Sequence, residues 1–488
     1  MNGLSDRRPA GAGAPVREKR FTAAEAAAVC GGEVTAGPPG AVITGAASDS
    51  RRVRPGDLFV AIPGERVDGH TFVGPAIAAG AAAALVSRAI GASPGLAVIR
   101  VTDTVAALGR LAAAYRRRFD LPVVGVTGSV GKTTTKDLLA GVLARSFDTL
   151  ATKGNLNTEV GLPLTVLELE RRHQVAVFEM GMRGRGEIAY LADIARPSIG
   201  LVTNIGPTHL ELLGSIENIT RAKAELIEAL PPDGLAVLNG DDPLCRSIAH
   251  QARVRVVFYG AGPDCEVRAE DYETLGEKGV RVRIAIAGAG GPRAAGGAVE
   301  RHEVTVPIPG RHNVANALAA VAVGRALGMS LADIAAGLAE PRRSAMRLEV
   351  LHAGGLKIID DTYNAGPAST RAALGILKEL AGDGRSTAVL GNMLELGAAA
   401  VSGHEEVGRV VRETGVGRLI TVGDLGAVIA QAAVAAGMDP SLVTACASNQ
   451  EAALLARQWL RPGDTVLVKG SRGMKMEEVV TALREDPA

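Results

Sequence analysis

The chain has 488 residues, enough for roughly three domains, and its net charge of +1 excludes bulk electrostatic attraction to nucleic acids or membranes. Aromatic residues make up only 3% of the sequence, which argues against a stacking surface for single-stranded nucleic acid. No apolar run approaches the roughly 20 residues of a membrane-spanning helix, and the N-terminus lacks the apolar core of a signal peptide. The widely spaced cysteines show no metal-binding pattern and predict free thiols in the cytoplasm.

The N-terminal region predicts a disordered tail followed by a small α/β domain. Residues 1–18 are mostly glycine, alanine, proline and charged residues without periodicity. Over residues 19–102, a short helix after Thr22 is followed by a strand–helix–strand pattern. Two polar loops in this region, at 48–54 and 64–70, are suited to an anionic ligand, although ordinary solvated turns have the same composition.

Residues 123–135 predict a strand, a tight loop and the start of a helix. In this arrangement Lys132 reaches the β- and γ-phosphates of a nucleotide, and the Thr133 hydroxyl can ligate Mg²⁺. Position 126 is valine where the long Walker form has glycine, so the motif is the short form. The agreement of all its parts favours a nucleotide site over a chance Gly-Lys-Thr turn. The loop residues expected to bind ATP are Gly128, Ser129, Val130, Gly131, Lys132, Thr133 and Thr134.

Polar side chains also follow other predicted parallel strands, where open α/β sheets bind their ligands. Glu179 and His209 each follow such a strand, and Lys223 lies on the next helix. A carboxylate and an imidazole close to Thr133 would suit a Mg²⁺ ion that bridges phosphates, although a structural histidine fits the pattern of His209 as well. Lys223 is by default a solvated helix lysine, because an ammonium group cannot ligate a metal unless CO₂ first converts it to a carbamate.

The pattern changes over residues 252–308. Three segments of alternating hydrophobicity predict antiparallel strands there, and a Gly/Ala-rich stretch at 287–298 predicts a mobile loop. A linker to the next region is expected near residues 341–346.

Residues 346–488 again alternate strands and helices and predict a Rossmann-like domain, without the glycine fingerprint of dinucleotide binding. The run Asp-Asp-Thr-Tyr-Asn at 360–364 follows a strand and either binds a ribose or an amine, or simply starts a turn. The run Lys-Gly-Ser-Arg-Gly at 469–473 is typical of an anion-binding turn or of a surface loop.

Taken together and in order, these motifs resemble the Mur ligase family, whose members are ATP-dependent amide-forming enzymes of peptidoglycan synthesis. Besides the glycine loop, the family-wide motifs are FEMG at 178–181, NIGPTH at 204–209, AKAE at 222–225 and GRHNxxN at 310–316. A second set resembles the members that join D-alanyl-D-alanine to UDP-N-acetylmuramoyl-tripeptide: GNLN at 154–157, DDTYN at 360–364, LGNMxELG at 390–397 and VKGSR at 468–472. The resemblance covers residues 20 to 485.

The resemblance implies an α/β fold of three domains. A small N-terminal domain would bind the UDP-sugar (19–102), a central P-loop ATPase domain would contain a parallel sheet (103–345), and a Rossmann-like domain would close over the site (346–488). ATP and Mg²⁺ are the implied cofactors, and UDP-N-acetylmuramoyl-tripeptide and D-alanyl-D-alanine the implied substrates. We expect a cytoplasmic monomer that binds neither nucleic acid nor membranes.

The resemblance also implies roles for individual residues. The catalytic residues would be Lys132, Lys223 and His209. One Mg²⁺ would be held by Thr133, Glu179 and His209, and a carbamylated Lys223 would bind a second Mg²⁺. Beyond the glycine loop, the nucleotide would contact Asn313, Arg347 and Asp361. The peptide and sugar substrates would contact Ser50, Arg51, Asn155, Asn157, Tyr363, Asn364, Ser471 and Arg472, with the first two at the uridine end.

The implied reaction activates an acyl group. The terminal carboxylate of the tripeptide attacks the γ-phosphate to give an acyl phosphate, and the amine of D-alanyl-D-alanine then displaces phosphate. Both reactants are anionic, so Lys132 and two Mg²⁺ ions would neutralise their charge as they approach.

Rival functions are open from the sequence. They are another ligase of this superfamily, such as the one adding the third peptide residue or a folylpolyglutamate synthase; a P-loop kinase or GTPase; and a non-catalytic nucleotide-binding scaffold. The runs at 155–157 and 363–364 argue against the first class, and the lack of an Asn-Lys-x-Asp guanine motif against a GTPase. The intact Lys132, Glu179 and His209 argue against a scaffold.

Overall fold

The structure, a computed structural model, describes residues 18–64, 67–91, 94–208, 210–287, 299–342 and 344–485. These residues form two compact units, the first up to residue 120 together with 159–171, the second from 121–158 and 172 onward. The expected disordered tail and mobile loop fall, apart from Glu18 and Ala287, outside the described residues. Within the part of the chain that the structure describes, no helix combines the length and apolarity needed to cross a membrane.

The first unit contains β1 (Phe21–Thr22), α1 (Ala23–Cys30), β2 (Glu33–Ala36), β3 (Val42–Ile43), β4 (Gly45–Ala47), β5 (Asp57–Val60), α2 (Val73–Ala78), β6 (Ala83–Val86), β7 (Ala97–Arg100) and α3 (Thr104–Arg116). A five-stranded sheet has the order β2-β7-β6-β5-β4, in which only β2 is antiparallel to its neighbour. A ribbon of β1 and β3 accompanies it. The predicted strand–helix–strand pattern is therefore confirmed.

The predicted helix start after Thr22 is confirmed by a capping box. The Thr22 hydroxyl accepts from Glu25 N at 3.2 Å, and Thr22 N donates to the Glu25 carboxylate at 2.7 Å. The side chain and the backbone thus satisfy each other's free hydrogen-bonding groups at the helix N-terminus.

The central part of the second unit contains β8 (Val123–Thr127), α4 (Lys132–Leu143) and β9 (Thr149–Ala151). After α5 (Gly161–Val166), which belongs to the first unit, come β10 (Val175–Glu179), α6 (Glu187–Ala195), β11 (Ile199–Val202), α7 (Leu210–Leu213), α8 (Ile216–Glu228), β12 (Leu235–Asn239), α9 (Pro243–Ser247), β13 (Arg255–Gly260), β14 (Val267–Thr274), β15 (Val280–Ala287), β16 (Val299–Val306), α10 (His312–Ala326) and α11 (Leu331–Ala339).

These strands form one nine-stranded sheet in the order β16-β15-β14-β13-β12-β11-β8-β10-β9. It is parallel from β9 to β14 and antiparallel between β14, β15 and β16. The prediction of antiparallel pairing for the first segment after residue 252 is wrong, because β13 runs parallel to β12. The short helix α9 reverses the chain between those two strands, and alternating hydrophobicity does not reveal strand direction.

The core beneath this sheet is built from aliphatic residues. Val124 and Val126 of β8 are fully buried and belong to the same cluster as Leu138 of α4, Val321 of α10 and Ile334 of α11. Helix α4, which begins at the phosphate loop, is therefore fixed by packing against two other helices and the sheet.

The C-terminal part contains β17 (Glu349–Ala353), β18 (Leu356–Asp361), α12 (Pro367–Ala381), β19 (Ser386–Gly391), α13 (Ala400–Glu413), β20 (Arg418–Val422), α14 (Asp424–Ala435), β21 (Val443–Cys446), α15 (Asn449–Trp459), β22 (Thr465–Lys469) and α16 (Glu477–Glu485). Its sheet has the order β17-β18-β22-β19-β20-β21 and is parallel except for β17. The predicted alternation of strands and helices is confirmed. The pattern missed β17 and β21, the two edge strands, whose side chains are only partly buried and do not alternate clearly.

Candidate active site

The phosphate loop turns from β8 into α4 through two glycines with positive φ, and the predicted strand–loop–helix is confirmed. Gly128 has a φ of 148°, and a Cβ there would lie 1.9 Å from the hydroxyl oxygen of Thr203. Gly131, with a φ of 83°, directly precedes the helix. Only glycine fits these two positions without strain or a clash.

The turn after β11 holds the loop in shape. Val130 N donates to Asn204 Oδ1 at 2.8 Å, and Asn204 Nδ2 donates back to the Val130 carbonyl at 2.8 Å. The hydroxyl of Ser129 lies 2.9 Å from the Gly206 carbonyl and accepts from Gly206 N at 2.8 Å. The NIGPTH motif therefore fixes the phosphate loop, in addition to any role of its own in binding.

Lys132 occupies the centre of the site. Its Nζ donates to the carbonyls of Gly128 at 2.7 Å and Ser129 at 3.2 Å. Burial lowers the pKa of Lys132, while the carboxylate of Glu179 raises it and the guanidinium of Arg347 lowers it further. The charges of Glu179 and Arg347 therefore both act on Lys132, so the three residues share one electrostatic environment. All three were predicted to belong to the nucleotide site.

Glu179, at the end of β10, is 1% exposed and has two unlike carboxylate oxygens. Oε1 accepts from Asn157 Nδ2 at 2.7 Å, whereas Oε2 is buried and has no hydrogen-bond partner among the described residues. Glu179 N donates to the Thr152 hydroxyl at 3.0 Å, which fixes the backbone at this point. A buried carboxylate oxygen without a partner is costly, so the site fits a cation.

Of the other two magnesium ligands predicted near the phosphate loop, Thr133 and His209, only Thr133 is among the described residues. Thr133 lies in the first turn of α4 and is buried. His209 lies outside the described residues, so its role stays a prediction. The hard oxygen ligands of Thr133 and Glu179 are of the kind that Mg²⁺ prefers.

The default interpretation of Lys223 as a solvated lysine is wrong. On α8 it is 2% exposed. Burial lowers the pKa of Lys223 well below its usual value, the charge of Lys132 lowers it further, and Cys245 opposes this. The environment favours a neutral amine, the form that can react with CO₂, but the carbamate itself stays a prediction.

Side-chain hydrogen bonds connect α10 to the helix of the phosphate loop. Asn313 is fully buried, donates to the Pro309 carbonyl at 2.8 Å and accepts from Asn316 Nδ2 at 2.9 Å. Asn316 Oδ1 in turn accepts from the Thr135 hydroxyl at 3.0 Å. Asn313 is therefore part of the internal support of the loop, and its predicted contact with adenine stays a prediction.

Two predicted nucleotide contacts of the C-terminal region lie together. Asp361 forms an ion pair with Lys469 on the neighbouring strand and accepts from Leu348 N at 3.3 Å. The guanidinium carbon of Arg347 lies 3.9 Å from the centre of the Tyr363 ring, a cation–π contact. The structure thus assembles Arg347, Asp361 and Tyr363 around the end of β18.

Ser471 is used by the fold itself. Its hydroxyl accepts from Leu394 N at 2.8 Å and donates to the Ala365 carbonyl at 3.3 Å. The hydroxyl joins the turn after β22 to two neighbouring turns, so its predicted substrate contact would have to come in addition to these bonds.

Three further predicted substrate residues are exposed, namely Asn155, Asn364 and Arg472. Arg472 forms an ion pair of 2.9 Å with Glu477, and the backbone carbonyl of Asn364 accepts from Lys469 at 2.9 Å. Their contacts with substrate stay predictions.

The residues predicted at the uridine end lie in the first unit. Arg51 is held by two bonds to Asp49, of 2.9 and 2.8 Å, which lower the pKa of the Asp49 carboxyl to about 2. Ser50 begins the same short 3₁₀ turn. Both positions are consistent with a polar ligand-binding loop, and the uridine contact stays a prediction.

The sequence did not reveal two supporting contacts: the hydrogen bond of Thr152 to the backbone of Glu179, and the ion pair of Lys469 with Asp361. Thr152 follows β9, a strand of three residues that is too short to give a periodic signal. Lys469 stood out only as part of an anion-binding turn, whereas the structure buries it against Asp361. Its position at the end of an apolar strand was the available signal.

Three family models match successive parts of the chain. The model of the Mur ligase family catalytic domain matches residues 42–116, that of the Mur ligase middle domain residues 126–324, and that of the Mur ligase glutamate ligase domain residues 346–472. Together they cover most of the chain in the order expected for the family.

Three relatives that the chain matches over more than nine-tenths of their length share one name. The chain is 40% identical to the UDP-N-acetylmuramoyl-tripeptide–D-alanyl-D-alanine ligase of Bacillus subtilis, covering 91% of this chain and 94% of that one. It is 38% identical to the ligase of that name from Mycobacterium tuberculosis H37Rv, covering 96% and 98%. With the Escherichia coli K12 ligase it shares 36% identity over 90% and 93% of the two chains.

Solved structures agree with these matches. The chain superposes on MurF from Acinetobacter baumannii with a TM-score of 0.83 and 34% identity, covering 96% of this chain and 99% of that one. It superposes on the MurF ligase from Thermotoga maritima, solved in complex with ADP, with a TM-score of 0.75 and 29% identity, covering 90% and 96%. The three-domain α/β architecture expected from the sequence is thereby confirmed.

Proposed function

The chain belongs to the Mur ligase family, and we propose from this premise that it joins D-alanyl-D-alanine to UDP-N-acetylmuramoyl-tripeptide. It is an ATP-dependent, ADP-forming amide ligase of peptidoglycan synthesis. Relatives named for this activity match nine-tenths or more of the chain at 36 to 40% identity. The rival ligases and the kinase or GTPase alternatives have no comparable support.

One observation carries the chemical part of the proposal. Glu179 keeps a buried oxygen without a partner among the described residues, in the electrostatic environment of the phosphate-loop Lys132. The carboxylate oxygen lies at the end of β10 and the lysine amine follows the neighbouring strand β8. Together they suit a metal-bound triphosphate, because the oxygen can bind the cation and the lysine can bind the phosphate.

The chemistry then needs two displacements. A carboxylate oxygen of the tripeptide attacks the γ-phosphorus, the bond to the β-phosphate oxygen breaks, and ADP leaves. The amine of D-alanyl-D-alanine attacks the acyl carbon, the carbon–oxygen bond to phosphate breaks, and the amide forms with loss of the amine proton. Lys132 stabilises negative charge on the transferred group, and exclusion of water protects the acyl phosphate.

Mg²⁺ fits the residues that are present. Thr133 and Glu179 would hold one ion together with the proposed ligand His209, and a carbamylated Lys223 would bind a second ion. When bound, the ions would neutralise phosphate charge and polarise the γ-phosphoryl group. Buried and next to the charge of Lys132, the amine of Lys223 is disposed to be neutral before it reacts with CO₂.

We assign the remaining predicted residues by region. Residues 19–102 would hold the UDP-sugar through Ser50 and Arg51, residues 103–345 the triphosphate, and residues 346–488 the nucleotide and dipeptide. In the last region Arg347 and Asp361 would contact the nucleotide, and Tyr363, Asn364, Ser471 and Arg472 would face the dipeptide, while Asn155 and Asn157 would lie toward the tripeptide. We place the reaction in the cytoplasm, where ATP is supplied and free thiols persist.

The direct test measures phosphate release from ATP with the purified full-length chain and UDP-N-acetylmuramoyl-tripeptide. We expect steady release only when D-alanyl-D-alanine is added, with one pentapeptide product formed per phosphate. Free D-alanine, meso-diaminopimelate and L-glutamate serve as matched alternative amines and should give no product.

Product formation with diaminopimelate or glutamate, and none with the dipeptide, would contradict the proposal. Phosphate release that is independent of any amine would mean that water, rather than the dipeptide amine, accepts the acyl or phosphoryl group, and would also contradict the proposal.

A further inference from the structure

The segment between α11 and β17 carries Arg347 and starts on the surface of α4. A Cβ at Gly337 would lie 2.5 Å from Val142 Cα, and a Cβ at Gly141 would lie 3.4 Å from Pro341 Cα. Glycines at these positions let α11 and the following segment approach the backbone of α4 closely. The first part of the segment is therefore fixed to the helix that begins at the phosphate loop.

A buried carboxylate on the same helix holds the middle of the segment. Asp137 is 8% exposed, and its Oδ2 accepts from the backbone N–H of Ser344 at 3.1 Å. Its other oxygen pairs with the amine of Lys136, whose side chain is 3% exposed. An acceptor that belongs to an ion pair makes a stronger hydrogen bond than a neutral acceptor does.

At the end of the segment, the backbone on both sides of Arg347 has an uncommon conformation. Met346 and Leu348, on either side of it, have φ values of 61° and 50°, a conformation that non-glycine residues rarely adopt. The Met346 carbonyl accepts from Tyr363 N at 3.1 Å, and Leu348 N donates to Asp361. The surrounding bonds hold this strained backbone, and strain of this kind is typical of functional sites.

The hydrogen bond between Asp137 and Ser344 joins the helix of the phosphate loop to the segment that carries Arg347. Asp137 lies five residues after Lys132 on α4, a rise of about 7.5 Å along the helix. Arg347 lies three residues after Ser344 and shares the electrostatic environment of Lys132. The bond from Ser344 to Asp137 thus connects the helix that holds the triphosphate to the chain that delivers the arginine.

We propose that Asp137 is a positioning residue, which holds the segment at Ser344 so that Arg347 reaches the phosphates of the bound nucleotide. The inference rests on the proposed nucleotide role of Arg347, and it assigns a function to a buried ion pair that the reaction itself does not use. Asp137 acts through the backbone and does not touch the nucleotide.

The test removes the one donor that the proposal needs. Ser344→Pro deletes the N–H, and Ser344→Ala, the matched control, keeps it. We expect Ser344→Pro to weaken binding of ADP and of a non-hydrolysable ATP analogue about tenfold in titration calorimetry, the size of one charge-assisted hydrogen bond. Ser344→Ala should bind as the wild type does.

A mutant cycle separates positioning from general damage. In an Arg347→Ala background, Ser344→Pro should cause no further loss of nucleotide binding, because the group that it positions is gone. If proline at this position does not fold, Lys136→Met/Asp137→Leu replaces the buried pair with apolar side chains and should reproduce the same loss in the same background-dependent way.

Equal losses with and without Arg347 would overturn the proposal, as would unchanged binding in Ser344→Pro. These measurements use nucleotide alone, whereas the proposed ligase activity is judged by pentapeptide formation in the wild type. Failure of one is therefore distinguishable from failure of the other.

Discussion

The charged residues near the central sheet of the second unit lack full neutralisation by protein groups, whereas those at the strand ends of the C-terminal sheet pair with each other. At the central sheet Lys132 is half-buried and Lys223 is buried, both with lowered pKa values, and Glu179 keeps an oxygen without a partner among the described residues. At the C-terminal sheet Asp361 and Lys469 neutralise each other. The first arrangement is costly until charged ligands arrive, and the second is complete in itself.

The difference shows how the work of the site is divided. The central sheet is built to receive a triphosphate and a cation, so its groups carry the chemistry. The C-terminal sheet satisfies its own charges and presents Arg347 from a strained, well-supported backbone. Changes at the central sheet should therefore act on catalysis, and changes at the C-terminal sheet mainly on stability and positioning.

The largest effect is expected at Lys132. Lys132→Ala should remove about 3 kcal/mol or more of transition-state stabilisation, because one preorganised charge on the transferred group is lost. Steady-state kcat/KM for ATP measures this. Lys278→Ala, at an exposed lysine far along the chain, is the control and should leave kcat/KM unchanged. Near-normal turnover in Lys132→Ala would refute the role of the lysine.

The next effect concerns the stability of the C-terminal sheet. Lys469→Met should lower the free energy of unfolding by about 3 kcal/mol, because the Asp361 carboxylate, whose side chain is only 13% exposed, loses the cation that it pairs with. Denaturant titration measures it. Lys469→Met/Asp361→Leu should recover most of the loss, and a double variant as unstable as the single one would show that packing rather than charge is responsible.

Lys223→Met should stabilise the protein in CO₂-free buffer. Because the folded pKa of Lys223 lies below the unfolded value of 10.5, the unfolded chain binds the proton more tightly, and the penalty for burying the charged amine is full at low pH. The penalty shrinks as pH rises from the lowered pKa toward 10.5. Unfolding midpoints from pH 6 to 10 should therefore converge for the two proteins; a pH-independent difference would contradict this.

The smallest effect is expected at Asn157, whose side-chain amide donates to Glu179 and so orients that carboxylate. Asn157→Ala should raise the Mg²⁺ concentration needed for half-maximal activity about tenfold, the usual cost of losing a partner of a metal ligand. Excess Mg²⁺ should restore the activity of Asn157→Ala but not that of Lys132→Ala. If Mg²⁺ does not restore it, Asn157 has a direct role with the substrate, as the sequence predicted.

Features whose sequence signal is local could be predicted, and those that depend on distant residues could not. The phosphate loop was predictable to the residue, because strand, glycines, lysine and helix lie within thirteen consecutive positions. The strands buried on both faces were also found, whereas the edge strands β17 and β21 and the direction of β13 were not. Most side chains of these two edge strands are only partly buried, so they give no clear periodic signal, and strand direction depends on the connection rather than on the strand itself.

Long-range partners were beyond the sequence. The burial of Lys223 could not be predicted from the sequence around it, because a lysine between two alanines, with Arg221 and Glu225 beyond them, is equally typical of a solvated helix face. The bond of Asn157 to Glu179 and that of Asp137 to Ser344 join positions 22 and 207 residues apart, and no periodicity connects them. The family resemblance supplied residue names at such places, and the structure supplied their partners.

The hydrogen bond from Asn157 to one oxygen of Glu179 has a consequence for ion selectivity. With Oε1 committed to the amide, the carboxylate offers a cation a single oxygen, so a monodentate contact is favoured over a bidentate one. Calcium, which prefers six to eight oxygens and often a bidentate carboxylate, is poorly served by such a donor. A small octahedral ion that keeps several of its own waters is well served, so the amide of Asn157 favours magnesium from outside the coordination sphere.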